Sequence, residues 1–160
     1  MAALGCGGGN SLSGSASELF ALDVSRVTCL RNAEAFQVNY FGNRGRDVDL
    51  VASLTVRLDG VELRAGKSVA LQGEAAPGHA RATVIHQAAA EPVRVFANVK
   101  DGDLELDEGG VAGTVSQGNF SLSFQDGSGY GAGRTLEGDF EAETLDGGFG
   151  PEVGEGVPVP

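Results

Sequence analysis

Over residues 20–145 apolar and polar residues change places at every second position, the period of a strand that buries one face. The clearest stretch sets Val48, Leu50, Ala52, Leu54, Val56 and Leu58 against Asp47, Asp49, Ser53, Thr55, Arg57 and Asp59. Asp59-Gly60 is a strong two-residue hairpin signal and predicts a return through Val61 and Leu63 to a turn at Ala65-Gly66. Upstream, Phe36, Val38 and Tyr40 share a face opposite Gln37 and Asn39, and Gly42-Asn43-Arg44-Gly45 supplies the connecting turn. A first strand over residues 22–30 changes parity between Val24 and Val27, which predicts a bulge. Further strands are expected over residues 68–72, 81–86 and 93–99. In the last hairpin Phe120, Leu122 and Phe124 precede a glycine-rich loop at 126–133, and Leu136, Phe140 and Ala142 follow it.

Nine or ten short strands joined by turns, with no segment of helical period, predict an all-β fold. The expected architecture is an antiparallel β-sandwich, Ig-like or Greek-key, with a barrel as the second choice. The alanines at 88–90 lie too close to Pro92 to make a helix. Composition agrees: of 160 residues 26 are glycine, and a hydrophobic content of 41% is enough for one folded domain. Three parts are expected: a tether over 1–19, the β-domain over 20–145, and a Gly/Pro/Glu tail over 146–160 whose composition predicts disorder.

The formal charge of −11 argues against nucleic acid, which calls for clustered Lys and Arg, and against direct adsorption to an anionic bilayer. No run of 18 or more apolar residues predicts a membrane-spanning helix. The two cysteines, Cys6 and Cys29, form no Cys-x-x-Cys or Cys/His spacing, so zinc is not expected. Cys29 is expected as a buried small hydrophobe, with a Cys6–Cys29 disulfide as the competing arrangement.

The start of the chain carries an address. Ala3-Leu4-Gly5-Cys6 followed by Gly7-Gly8-Gly9 and a Ser-rich stretch to Ser17 resembles the lipobox and tether of a bacterial lipoprotein. The resemblance implies that Cys6 becomes the acylated N-terminus and the chain's attachment to a membrane, and Gly7 suits the outer membrane. A secretory signal has an apolar region of roughly 7–15 residues. Only Met1 to Gly5 precede Cys6, so a longer precursor is implied. The closing hairpin, Gly118-x-Phe120-x-Leu122-x-Phe124-x-Asp126-Gly127 with Leu136-x-Gly138-x-Phe140-x-Ala142, resembles that of glycine-rich secreted lipoproteins of myxobacteria and related δ-proteobacteria. That resemblance implies the lipoprotein class and no particular chemistry.

Candidate chemistry is sparse. Asp101, Asp103, Glu105 and Asp107 alternate along one strand face, with Glu108 beside them, and Glu137, Asp139, Glu141 and Glu143 do the same on another. Like charges directly opposite in a sheet repel. Either the two strands are not neighbours, or Arg94, Lys100 or Arg134 intervene, or a cation lies between them. Calcium takes six to eight oxygens, so Asp101, Asp103, Glu105 and Asp107 are its candidate ligands, although the EF-hand glycine and closing glutamate are missing. A plain solvated face is the simpler expectation.

His79 follows a turn and is expected to be exposed, whereas His86 shares parity with Ala82 and Val84 and points inward. No Gly-x-Ser-x-Gly elbow exists, and Ser128 sits in a hairpin loop, so hydrolase chemistry has little support. Gly127 to Gly133 precede no helix that would cradle phosphate. Tyr130 at that loop tip, with Tyr40, Phe41 and Phe96, are the candidate exposed aromatics for a partner contact. The expected function is a non-enzymatic envelope lipoprotein, periplasmic or surface-exposed, whose β-domain contacts a protein or glycan partner. A calcium-dependent adhesion or carbohydrate-binding module is the alternative.

Overall fold

The computed structural model describes residues 10–146. Among the described residues ten strands run in chain order: β1 Ser11–Ser13, β2 Arg26–Arg31, β3 Ala35–Arg44, β4 Asp47–Arg57, β5 Ser68–Gln72, β6 His79–Gln87, β7 Arg94–Val95, β8 Val99–Glu108, β9 Val115–Phe124 and β10 Thr135–Asp146. A 3-10 turn at Ser15–Glu18 follows β1. Eight strands close a ring in the order β10-β2-β3-β4-β6-β5-β8-β9, because β9 pairs with β10 as well as with β8. Neighbours are antiparallel except β2 with β10 and β5 with β6.

The all-β class is therefore present, and its architecture is the barrel rather than the Ig-like sandwich. Period-2 alternation is the same for both, since either closure buries every second residue. The difference lies in the pairing of β10 along both edges, and that is a non-local fact.

The interior is filled with side chains. Phe36, Tyr40, Phe120 and Phe140, with Leu54, Leu71, Leu104, Leu106, Leu122 and Leu136, are all fully buried. Cys29 is free and shares this core, and burial pushes its thiol pKa up to about 12. Carboxylates point outward while apolar groups point inward, the reverse of a membrane-spanning barrel.

Three local expectations differ from the structure. Val51 forms a bulge between the pairs Tyr40–Ala52 and Phe41–Leu50, so Leu50 turns to the outer face. There Leu50, Phe41 and Ile85 form a second small cluster under Val93, and Val48 is half exposed. Asp59 and Gly60 do make a tight turn, both with positive φ, but residues 61–64 are not a strand; Leu63 instead folds under the barrel end into the core. The first strand begins only at Arg26, so the parity change near Val24 marks irregular chain rather than a bulge.

Residues 10–19, expected as part of the tether, are built onto the barrel. β1 pairs with Glu137–Asp139 on the half of β10 that β2 does not reach. Leu12 and Ala16 are buried there, while Ser15 and Thr135 exchange backbone-to-hydroxyl hydrogen bonds at 3.1 and 2.9 Å. The domain thus begins about ten residues earlier than composition indicated, because two small apolar side chains suffice to dock a Ser-rich segment. Cys6 and the tail beyond Asp146 lie outside the described residues.

Candidate binding site at the aromatic end of the barrel

At one end of the barrel the segment after the 3-10 turn, the end of β6, the β7–β8 connection and the glycine-rich loop meet. Phe20 stacks on His86 with ring centroids 3.8 Å apart and planes 13° from parallel. Tyr130 lies parallel to Phe20 at 6.5 Å, and Phe96 stands edge-on to both. The Arg94 guanidinium sits over the Tyr130 ring at 5.1 Å, within cation–π range. Phe20, His86 and Tyr130 are half-buried, Arg94 is exposed, and Phe96 is buried beneath them.

Local sequence explains why this arrangement holds. The backbone of Ala97 donates to the Tyr130 carbonyl at 2.7 Å, and Gln125 donates to Asn98 at 2.8 Å, so the 125–134 loop is pinned to the β7–β8 connection. Gly131 has a positive φ of 73°, and a Cβ there would collide with the Phe96 ring. Only glycine allows the loop to lie this close.

His86 Nδ1–H donates to the Val51 carbonyl at 2.8 Å, which the bulge in β4 exposes to it. Burial holds the imidazole below its ordinary pKa, opposed by the Val51 hydrogen bond and by Asp49 and Glu91, while Arg94 adds to the lowering. Burial also raises the Tyr130 phenol, with Arg94 opposing. At neutral pH the end therefore presents a neutral imidazole, a neutral phenol and one cation. Such a surface suits stacking and hydrogen bonding rather than proton transfer.

The other residues singled out from sequence are dispersed. Tyr40, Phe41 and Phe96 are 0, 1 and 4% exposed, so they are not surface contacts. Tyr40 points into the barrel, Phe41 lies under the Val93 cluster with Arg26 over its ring, and Phe96 underlies the aromatic end. Of that quartet Tyr130 alone remains partly accessible.

Asp101, Asp103, Glu105 and Asp107 point outward from β8, but strung along a strand they do not converge on a point. Among the described residues no three His, Cys, Asp or Glu side chains are placed to share a metal ion, so the calcium arrangement is absent from this face. The acidic rows avoid each other because β9 lies between β8 and β10. Ser121 opposes Asp103 and Glu137, and Asn119 opposes Glu105 and Asp139, neutral partners on both sides. A shallow recess of about 280 Å3 on this face is lined by Ser13, Asn119, Phe120, Ser121, Glu137, Gly138 and Asp139.

His79 begins β6 and donates to the Pro77 carbonyl of its own turn, and Ser128 is exposed in its loop. Phe20 was not marked by the sequence, and Arg94 was named only as a cation that could separate the acidic strands. Phe20 lies in irregular chain before the strand that begins at Arg26, and Arg94 belongs to a two-residue strand, so neither has a local signature of a site. Comparison with known protein families, with curated proteins and with solved structures finds no match to the chain.

Proposed function

We propose that this chain is a non-enzymatic bacterial envelope lipoprotein, attached through lipid on Cys6, whose barrel binds a protein or glycan partner at its aromatic end. The observation that carries the binding part is the half-buried stack of Phe20, His86 and Tyr130 beside an exposed Arg94. A barrel whose interior is packed has no room for a ligand inside, and the mouth is where small barrels present their variable loops. Partly exposed aromatic rings beside an arginine are the side chains that dominate binding surfaces. The attachment rests on the lipobox-like residues Ala3 to Cys6. With carboxylates along β8 and β10, lipid on Cys6 supplies the membrane contact that the acidic surface does not.

Two measurements test the two parts. The intact mass of the protein from membranes of its native host is expected to show a chain that begins at acylated Cys6; an unmodified Cys6 would remove the attachment. Titration of the purified chain with polysaccharide from the same envelope, followed by NMR, is expected to move the resonances of Phe20, His86 and Tyr130 first. Shifts confined to the acidic face of β8–β10 would refute the aromatic end as the contact.

A further inference from the structure

Three apolar side chains stand exposed where β9 begins and β10 ends. Val111 is 61% exposed, and Val115 and Leu145 are 50% exposed. Backbone hydrogen bonds gather them at one place: Gly113 donates to the Thr144 carbonyl and Thr144 donates to the Thr114 carbonyl, both at 2.8 Å. The backbone N–H and the hydroxyl of Thr114 both donate to the Val111 carbonyl, which closes a turn just before β9. Val115 opposes Glu143, and Leu145 follows two residues later on the same side of β10. This end is the one far from the aromatic site. β9 covers roughly 30 Å between Val115 and Phe124, and the loop that carries Tyr130 comes after it.

The start of the described chain points to the same end. β1 runs antiparallel to β10, with Ser13 opposite Glu137 and Ser11 opposite Asp139. The Asn10 side-chain oxygen then accepts the Glu141 N–H at 2.8 Å. Followed backward from Ser13, the backbone climbs β10 away from the 125–134 loop and toward Leu145. Cys6 precedes Asn10 by four residues, a reach of at most about 14 Å. From the level of Phe140 back to Thr135 takes about 17 Å, before the aromatic loop is met. That reach falls short of the aromatic end, whereas along the course of β1 it extends to the level of Thr144.

We propose that the barrel end formed by the 111–114 turn, Val115 and Leu145 rests on the lipid surface to which Cys6 is attached, so that the aromatic end faces away from it. This rests on the reading of Cys6 as the lipidated residue. Three aliphatic side chains are too small a patch for a stable protein interface, which buries about 800 Å2 on each partner. Dipped into the headgroup region, they add to an attachment that acyl chains already make. Glu143 and Asp146 flank the patch, so the surface it suits is zwitterionic rather than anionic.

The chain contains no tryptophan, so a single introduced one reports its own surroundings. Val111→Trp and, at the aromatic end, Val95→Trp are made separately in the full chain, both at exposed positions. Each protein is joined through its Cys6 thiol to a maleimide lipid in phosphatidylcholine vesicles, Cys29 being buried in the core. Bromine on the acyl chains quenches a tryptophan that meets the bilayer. The expected result is at least a twofold loss of emission for Val111→Trp and none for Val95→Trp. Equal quenching of the two, quenching of Val95→Trp alone, or none in either would overturn the proposal. Because the thiol link is made in vitro, this result is independent of acylation in the host, which the intact mass reads separately.

Discussion

The Tyr40 hydroxyl on β3 donates to the Asp139 backbone carbonyl on β10, 3.0 Å away, across the place where β2 has parted from β10. β2 pairs with β10 only at Thr144–Asp146, and Tyr40 bridges the gap from inside while β1 closes it from outside. Burial pushes the phenol pKa far above its ordinary value, so the hydroxyl keeps the proton it donates. Tyr40→Phe is expected to lower stability by about 1 kcal/mol, as for a buried hydrogen bond lost with the ring retained. Chemical denaturation would measure it, and a variant as stable as the parent would show the bond to be incidental.

Gly138 lies beneath the same ring. A Cβ there would stand 2.5 Å from the Phe120 ring and 2.8 Å from Tyr40 Oη. Gly138→Ala is therefore expected to cost about 1–3 kcal/mol by overpacking, more than Tyr40→Phe costs. Thermal unfolding of the two variants side by side gives the order.

On the outward side of β3 and β4, Gln37, Asn39, Ser53 and Thr55 form a ladder of side-chain hydrogen bonds that should behave as one unit. Asn39→Ala removes the partner of Ser53, Gln37 and Thr28 at once and is expected to destabilise by about 2 kcal/mol or more. Asn39→Ala combined with Ser53→Ala is expected to cost less than the sum of the single changes, because each leaves the other's partner unsatisfied. Additive values would contradict the coupling.

His86 gives a pH dependence with a defined sign. Its folded pKa lies below the ordinary value of 6.5, so the unfolded chain binds the proton first as pH falls. Its contribution to stability is present in full above pH 6.5 and is lost as pH falls through the folded pKa. His86→Gln is expected to flatten that part of the stability profile while leaving the slope below pH 4, where Asp49 and Asp59 titrate from lowered values, unchanged. Melting curves at half-unit intervals would show it; an unchanged profile in the variant would assign the slope elsewhere.

The acidic face should be indifferent to calcium. Because its carboxylates do not converge, millimolar calcium is expected to leave the melting temperature unchanged, and Asp103→Asn with Asp107→Asn is expected to make no difference. A calcium-dependent rise lost in the double variant would restore the metal site.

Much of the barrel wall was legible because alternation is a local property. Phe36 and Val38 face inward as their spacing predicts, as do Leu54 and Val56, and His86 points inward with Val84. What alternation cannot carry is which strand pairs with which, and a single bulge inverts it. Val51 turned Leu50 and Val48 outward, and Tyr40, expected as an exposed aromatic at a strand end, lies at the centre of the core. The candidate site was legible only through Tyr130. His86 and Arg94 are cross-strand partners in the local β6–β7 pairing, but Phe20 and Tyr130 come from distant stretches of chain, and only the tertiary fold brings them to that pair.

The most direct test of the account is retention on the host's own envelope polysaccharide, compared among the parent chain, Tyr130→Ala and Arg94→Ala at matched folding. The account predicts that the parent is retained and that each variant loses at least tenfold in apparent affinity while its melting temperature stays within a few degrees. Retention unaffected by both changes, or a parent chain that binds neither the polysaccharide nor proteins of that envelope, would contradict it.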